Sequence, residues 1–232
     1  MSYTVFSPSQ MFVSNRHKYL TLISMLYLSC ELASLVLSYK IVNYTIFFGA
    51  ASSFIFPITY TWNDLITEVY GLKIALRTVF FVFVCDWFFI LLITISIKAP
   101  SESATIQNSY DYVLGHLWRS LSSEMFGVLI GATANSFIMS KWKRITKGTG
   151  FWYRSIISSL IGEIIMLCIS VPLALWGILN FHQIIKLMIY AFSYKLVFAV
   201  LISVPAGFLS SILKEKENIS HFNFDESYNP FR

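Results

Sequence analysis

Glu31, Asp86, Glu124, Glu163 and Lys195 all lie inside long apolar runs, and Asp64 and Glu68 close another. An ionised group at bilayer depth costs about 2.5–3.5 kcal/mol on insertion scales, so each of these must be solvated, protonated or held by a ligand. For Glu31, Asp86 and Glu124 the plain alternative is a structural hydrogen bond to a neighbouring helix, because no local pattern adds to the charge. Glu163, beside Gly162, and Lys195 sit deep within their runs and should reach a bundle interior or a water-filled cavity.

The richest local stretch is Phe56 to Gly71, FPITYTWNDLITEVYG. Asn63 and Thr67 are four apart, as are Asp64 and Glu68, so two adjacent stripes of donors and acceptors line one side of a helix. Pro57 is expected to free a backbone carbonyl one turn earlier, as happens where backbone lines a cavity. The competing reading is a capped helix end at the membrane interface, with Tyr60, Trp62 and Tyr70 as an aromatic belt.

The elements that position these groups follow from composition. The chain is 56% hydrophobic and 12% charged with a mean hydropathy of +0.65, whereas soluble domains carry roughly 25% charged residues. A soluble enzyme is excluded, and a bilayer is the solvent. Six runs are long enough to cross about 30 Å of hydrocarbon: Tyr19 to Tyr39, Tyr44 to Trp62, Ala75 to Ile97, Leu121 to Ser140, Ile156 to Trp176 and Ile184 to Leu209. They are continuously apolar rather than alternating, so the expected fold is an all-α bundle of six transmembrane helices.

Orientation follows from the basic residues. Arg16, Lys18, Lys73, Arg77, Lys141, Lys143, Arg144, Lys147, Arg154, Lys214 and Lys216 share a side with the N-terminus. Lys40, Lys98, Arg119 and Lys186 oppose them. The imbalance places both termini in the cytoplasm and makes the net charge of +5 a matter of topology rather than nucleic-acid binding. The expected organisation is a cytoplasmic segment 1–18, a transmembrane domain 19–213 and a cytoplasmic tail 214–232. Lys147 to Gly150 is a turn between antiparallel helices, and Lys98 to Arg119 is a polar loop. The first span is too long for a signal core, contains Glu31 and lacks a persuasive cleavage site.

Chemistry of the enzymatic kind finds no support. Cys30, Cys85 and Cys168 lie singly in apolar runs and form no disulfide or zinc pattern. The histidines, His17, His116, His182 and His221, stand outside or at the ends of spans. There is no HExxH, GxSxG or Walker A sequence, and so no catalytic residue, metal or cofactor is assigned. Gly127 and Gly131 form a GxxxG pair read as helix packing.

The stretch Asn63, Asp64, Thr67, Glu68, Tyr70, Gly71 resembles the N-D-x-x-T-E-x-Y-G signature of the queuosine precursor transporter family, also called the vitamin uptake transporter family. The similarity continues through Arg77, Leu121 to Ser140, Lys141 to Gly150, Trp152 to Gly177 and Phe192 to Leu213 around Lys195. Family members commonly carry G-Q-x-x-D in both the fourth and fifth helices. Here those segments read Gly131-Ala132-Thr133-Ala134-Asn135 and Gly162-Glu163-Ile164-Ile165-Met166.

That resemblance implies a multi-pass protein of the bacterial inner membrane that imports a 7-deazaguanine such as preQ0, preQ1 or queuine. A deazaguanine has a flat apolar face and an edge of adjacent N–H donors, so its site needs aromatic walls and an acceptor. Glu163 or Glu68 would accept from that edge, Asn63 and Asn135 would complete it, and Trp62 or Trp118 would stack on the ring. Asp64 and Thr67 belong to the same polar stripe, and Lys195 would offset the charge of Glu163. Energy coupling is open among buried acids, facilitated diffusion and a separate ATPase module with this chain as its substrate-binding subunit. A homodimer, a membrane enzyme and an assembly protein are further alternatives.

Overall fold

The computed structural model describes residues 17–217 of the 232-residue chain, apart from 39, 45, 46 and 116. At 41, 43, 44, 47–49, 117, 119 and 120 it describes backbone alone. Arg16, Tyr39, His116, His221 and most of the expected tail lie outside the described residues. In chain order the elements are α1 (Leu20–Leu37), β1 (Ile41–Tyr44), β2 (Phe47–Ala50), α2 (Phe56–Tyr70) and α3 (Leu72–Ile97), followed by α4 (Ala104–Leu114), α5 (Leu117–Ile145), α6 (Phe151–Leu175) and α7 (Phe181–Lys216).

Five of the six expected runs form helices, with α6 starting at Phe151 rather than Ile156 and α7 running on to Lys216 rather than ending at Leu209. The second does not run as expected. Residues 41–50 fold into an antiparallel hairpin with Ile41 opposite Ala50, and a short 3₁₀ turn (Ala51–Phe54) leads into α2. Pro57 therefore sits in the first turn of α2, where its missing N–H has no partner to lose, and it interrupts nothing. Asn63 and Asp64 lie in the middle of α2, and Thr67 and Glu68 fall in its last turn. The expected loop after α3 contains α4, none of whose residues is buried.

Among the described residues four helices, α1, α3, α6 and α7, are long and apolar enough to cross a membrane by length and composition. At 15 residues, α2 extends only about 22 Å, so it is held within the bundle rather than spanning on its own. The side-chain distribution inverts that of a soluble protein. Phe80, Phe81, Phe88 and Leu91 of α3 and Leu201, Val204 and Phe208 of α7 are exposed, while Asn63, Asp64, Glu68 and Arg154 are fully buried. Apolar groups face outward and polar groups pair inside, as lipid solvation requires.

At the centre stands α2, packed against α1, α3, α5, α6 and α7. It stops abruptly at Gly71, whose φ of +88° a side chain would resist, and α3 starts at the next residue. The turn between α5 and α6 falls where expected, with Lys147, Gly148 and Gly150 all at positive φ. Beyond that turn the two helices form the closest pair in the bundle. A Cβ built on Gly131 would lie 2.6 Å from the Gly162 carbonyl oxygen, and one on Gly162 would lie 2.8 Å from that of Gly131. The two glycines are thus a backbone-to-backbone contact, in line with their reading as packing residues.

Candidate functional site

Because the polar residues Asn63, Asp64, Thr67 and Glu68 of α2 are fully buried, their side chains need partners inside the protein. Asn63 Nδ2 donates to the Ala132 carbonyl at 3.2 Å and to Ser136 Oγ at 2.9 Å, and Ser136 Oγ returns a bond to Asn63 Oδ1 at 3.1 Å. Thr67 donates to the Asn63 carbonyl one turn back at 2.8 Å. Asp64 accepts from Asn135 Nδ2 at 2.7 Å, from Ser159 Oγ at 3.1 Å and from Ser155 Oγ. Asn63 and Asp64 thereby lock α2 to α5 and α6.

One turn further on, Glu68 takes both forks of Arg154, with Nη1 at 2.9 Å and Nη2 at 3.1 Å, and Lys214 Nζ at 2.5 Å. Lys143 Nζ caps the Glu68 carbonyl at 2.7 Å. Arg154 and Glu68 side chains are both 0% exposed, a burial that only full pairing supports. This network gathers α2, α5, α6 and α7 at one end of the bundle. Glu68 thus meets three basic donors here and stands apart from the Glu163–Lys195 pair.

The same end is tied to the start of α1 by Glu217, just past α7. It accepts from the Lys18 amide at 3.1 Å, the Tyr19 amide at 2.8 Å and the Tyr70 hydroxyl at 2.8 Å. Burial works against the charged form of Glu217. The hydrogen bonds from Tyr19, Tyr70 and Lys18 outweigh it and hold the carboxyl below its ordinary value. A depressed folded value means that the stabilisation is fully present above the ordinary carboxylate range and is lost as pH falls through the lower, folded value. In thermal unfolding of detergent-solubilised protein, Glu217→Gln should lie below wild type at neutral pH, and the two curves should converge in acid. A constant gap at all pH values would remove Glu217 as the titrating clasp.

The cleft that could admit a ligand opens on the other side of Asp64. Pro57, Tyr60 and Thr61 of α2, Ser155, Ser159 and Glu163 of α6, and Lys195 of α7 line it. Lys195 Nζ lies 2.5 Å from Glu163 Oε1 and 4.0 Å from the centre of the Phe56 ring, so the ammonium is shared between a carboxylate and an aromatic face. Ser155 and Ser159 line the cleft while donating to Asp64, which makes Asp64 the group behind its wall. The cavity volume is about 20 Å³, close to the space for one water. Two buried polar atoms nearby have no partner: the Tyr60 hydroxyl and Asn135 Oδ1. Both belong to residues that pack against Gly162.

Of the residues singled out from sequence, Asn63, Asp64, Thr67 and Asn135 meet in the polar layer, and Glu163 and Lys195 meet in the cleft. Trp62 is half-buried against the central apolar cluster, its indole N–H unpartnered. Trp118 is not brought to the site. It is 57% exposed and contacts Trp87 edge-on, with ring centres 5.7 Å apart. Sequence reasoning passed over Ser155 and Ser159, whose four-residue spacing with Glu163 was a legible signal for one face of α6. It considered Tyr60 only within the competing reading of an interfacial belt, and counted Arg154 and Lys214 only as topological charges.

The family described as "Putative vitamin uptake transporter" matches residues 50–209, which takes in the hairpin's last residue, all of α2 to α6 and most of α7. No curated protein and no solved structure matches the chain. With its matched segment covering well over half of the sequence and carrying the entire α2 stripe and the Glu163–Lys195 pair, the chain belongs to the vitamin uptake transporter family.

Proposed function

We propose that the protein imports a 7-deazaguanine precursor of queuosine through the cleft between α2, α6 and α7. The observation that carries this reading is the Glu163–Lys195 pair, a charged acceptor and donor facing a cleft with aromatic and hydroxyl neighbours inside an otherwise lipid-facing bundle. A deazaguanine would give its N1–H and amino protons to Glu163 and receive a bond from Lys195, with Tyr60 beside the ring. Tyr60 takes the part that Trp118, on the outer surface, cannot. Asn135 Oδ1 and the Tyr60 hydroxyl offer further bonds without breaking existing ones.

In its present shape the cleft is far smaller than a bicyclic base, so loading requires α7 to draw back from α6 and the Glu163–Lys195 pair to part. The Glu68 network would remain shut during this movement and close one end of the path. We place the protein as a six-pass chain in a bacterial inner membrane with both ends cytoplasmic, the hairpin and α2 together making the second pass, on the strength of the basic residues grouped at the Glu68 end.

The test is uptake in cells that cannot make queuosine precursors, fed preQ0, preQ1 or queuine and scored for queuosine in tRNA. Wild type should restore the modification with at least one precursor. Glu163→Ala removes a charge-assisted bond worth about 1.5–3 kcal/mol, so uptake should fall about tenfold to a hundredfold. Normal insertion with unchanged uptake would remove Glu163 from the site, and failure of every precursor in every background would overturn the substrate.

A further inference from the structure

A second group of buried acids lies outside the cleft and outside the ion pairs described among these residues. Glu31 of α1 and Asp86 of α3 are 1% and 2% exposed, and Glu124 of α5 is half-buried. The three interact electrostatically: Glu31 with Asp86 and Glu124, and Asp86 with Glu124. One turn before Glu31 and Asp86, Tyr27 and Val82 belong to the central apolar cluster. One turn after them, Leu35 and Ile90 belong to another, with Leu121 and Met125. The acids therefore form a polar layer between two apolar ones.

This layer has unused bonding capacity. Glu31 Oε2 and Asp86 Oδ1 are buried with no partner, and so is Ser34 Oγ on the same buried stripe of α1. The other groups facing Glu31 are Tyr27, Thr59, whose hydroxyl donates to the Phe56 carbonyl at 2.7 Å, and Lys195. Glu124 faces Lys195 and Glu163. A buried carboxyl oxygen that no donor reaches is costly as an anion and is relieved by protonation, so the occupant that suits these oxygens is a proton.

We propose that Glu31, Asp86 and Glu124 form a proton-carrying site, loaded from one face of the membrane, emptied to the other, and coupled to the cleft through Lys195. The proposal rests on the transport reading above. With the cleft closed, Lys195 is committed to Glu163. When a substrate takes both Glu163 and Lys195, the ammonium is drawn off Glu124 and Glu31, and the loss of its field favours their protonated forms. One proton is then carried with the substrate: H⁺ from water adds to a carboxylate oxygen, that O–H bond breaks again when the substrate departs, and Lys195 keeps its own protons throughout.

The experiment uses the full chain in proteoliposomes enclosing a pH-sensitive dye, with whichever of preQ0, preQ1 and queuine raises its melting temperature. For one proton per substrate, accumulation should rise about tenfold per pH unit of inward gradient, with acidification of the lumen. Glu31→Gln and Asp86→Asn should lose both responses while keeping thermal stabilisation by the precursor and precursor exchange without a gradient. Gradient-driven uptake that survives in both variants, or a wild type indifferent to the gradient, would overturn the site. A protein stabilised by no precursor would count against the transport reading instead. The proton site is then judged in the substrate-free protein, by the infrared band of a protonated buried carboxyl at neutral pH. That band should be present in wild type and diminished by Glu31→Gln or Asp86→Asn, and its absence would overturn the proposal. Glu124→Gln replaces either variant if one fails to fold.

Discussion

Replacing Arg154 with Ala is expected to destabilise the protein by about 3–5 kcal/mol, the range found when one member of a buried ion pair is removed. Arg154 meets Glu68 through two bonds of 2.9 and 3.1 Å, and its Nε holds the Thr149 carbonyl at 3.1 Å. Its loss leaves Glu68 with Lys214 alone and frees the turn between α5 and α6 from its only described side-chain clasp onto α2. For a chain of this size the shift in melting temperature should be on the order of 10 °C. Arg154→Lys should recover little, because a lysine has no planar fork to span both carboxylate oxygens. Thermal unfolding of the three proteins in detergent is the measurement. An Arg154→Ala protein that melts with wild type would mean that Lys214 and Lys143 satisfy Glu68 by themselves.

The stripe on α2 was legible in sequence because helical spacing alone puts Asn63 with Thr67 and Asp64 with Glu68. Their partners were not, since Ser155, Arg154 and Lys214 come from helices some 90 to 150 positions away. A basic residue near a helix end carries the same topological signal whether it faces headgroups or a buried carboxylate, so Arg154 and Lys214 were counted but not placed. The missed hairpin has a different cause. Residues 41–50, IVNYTIFFGA, are continuously apolar and rich in β-branched and aromatic types, a composition that fits a strand or a buried helix equally by periodicity. The choice there is made by α2, whose N-terminus begins at Phe56 with Pro57 and leaves the preceding residues too few for a helix of spanning length. Trp118 illustrates a third limit: an aromatic suited to stacking says nothing about which face of α5 it occupies.

The contact between Gly131 and Gly162 predicts the other large effect, since Gly131→Val should separate α5 from α6 and disable the site with the fold. A Cβ at 131 would meet the Gly162 oxygen at 2.6 Å, the Tyr60 hydroxyl at 2.8 Å and Met166 Cβ at 2.9 Å. The nearest obstacle is backbone, so no rotamer change relieves it, and overpacking of this kind costs about 1–3 kcal/mol or more. The loss reaches function because Asp64 draws its donors from both helices, Asn135 from α5 and Ser155 and Ser159 from α6. Parting the helices breaks that bridge and moves the cleft wall. Gly207→Ala on α7 is the control, as its Cβ would meet only Phe151 at an ordinary 3.8 Å. It should be neutral or add up to about 1 kcal/mol through helix propensity. Melting temperature and precursor-induced stabilisation should both fall for Gly131→Val and hold for Gly207→Ala. Equal behaviour of the two variants would show that the helices can part at Gly131 without cost, and that Asp64 does not depend on their approach.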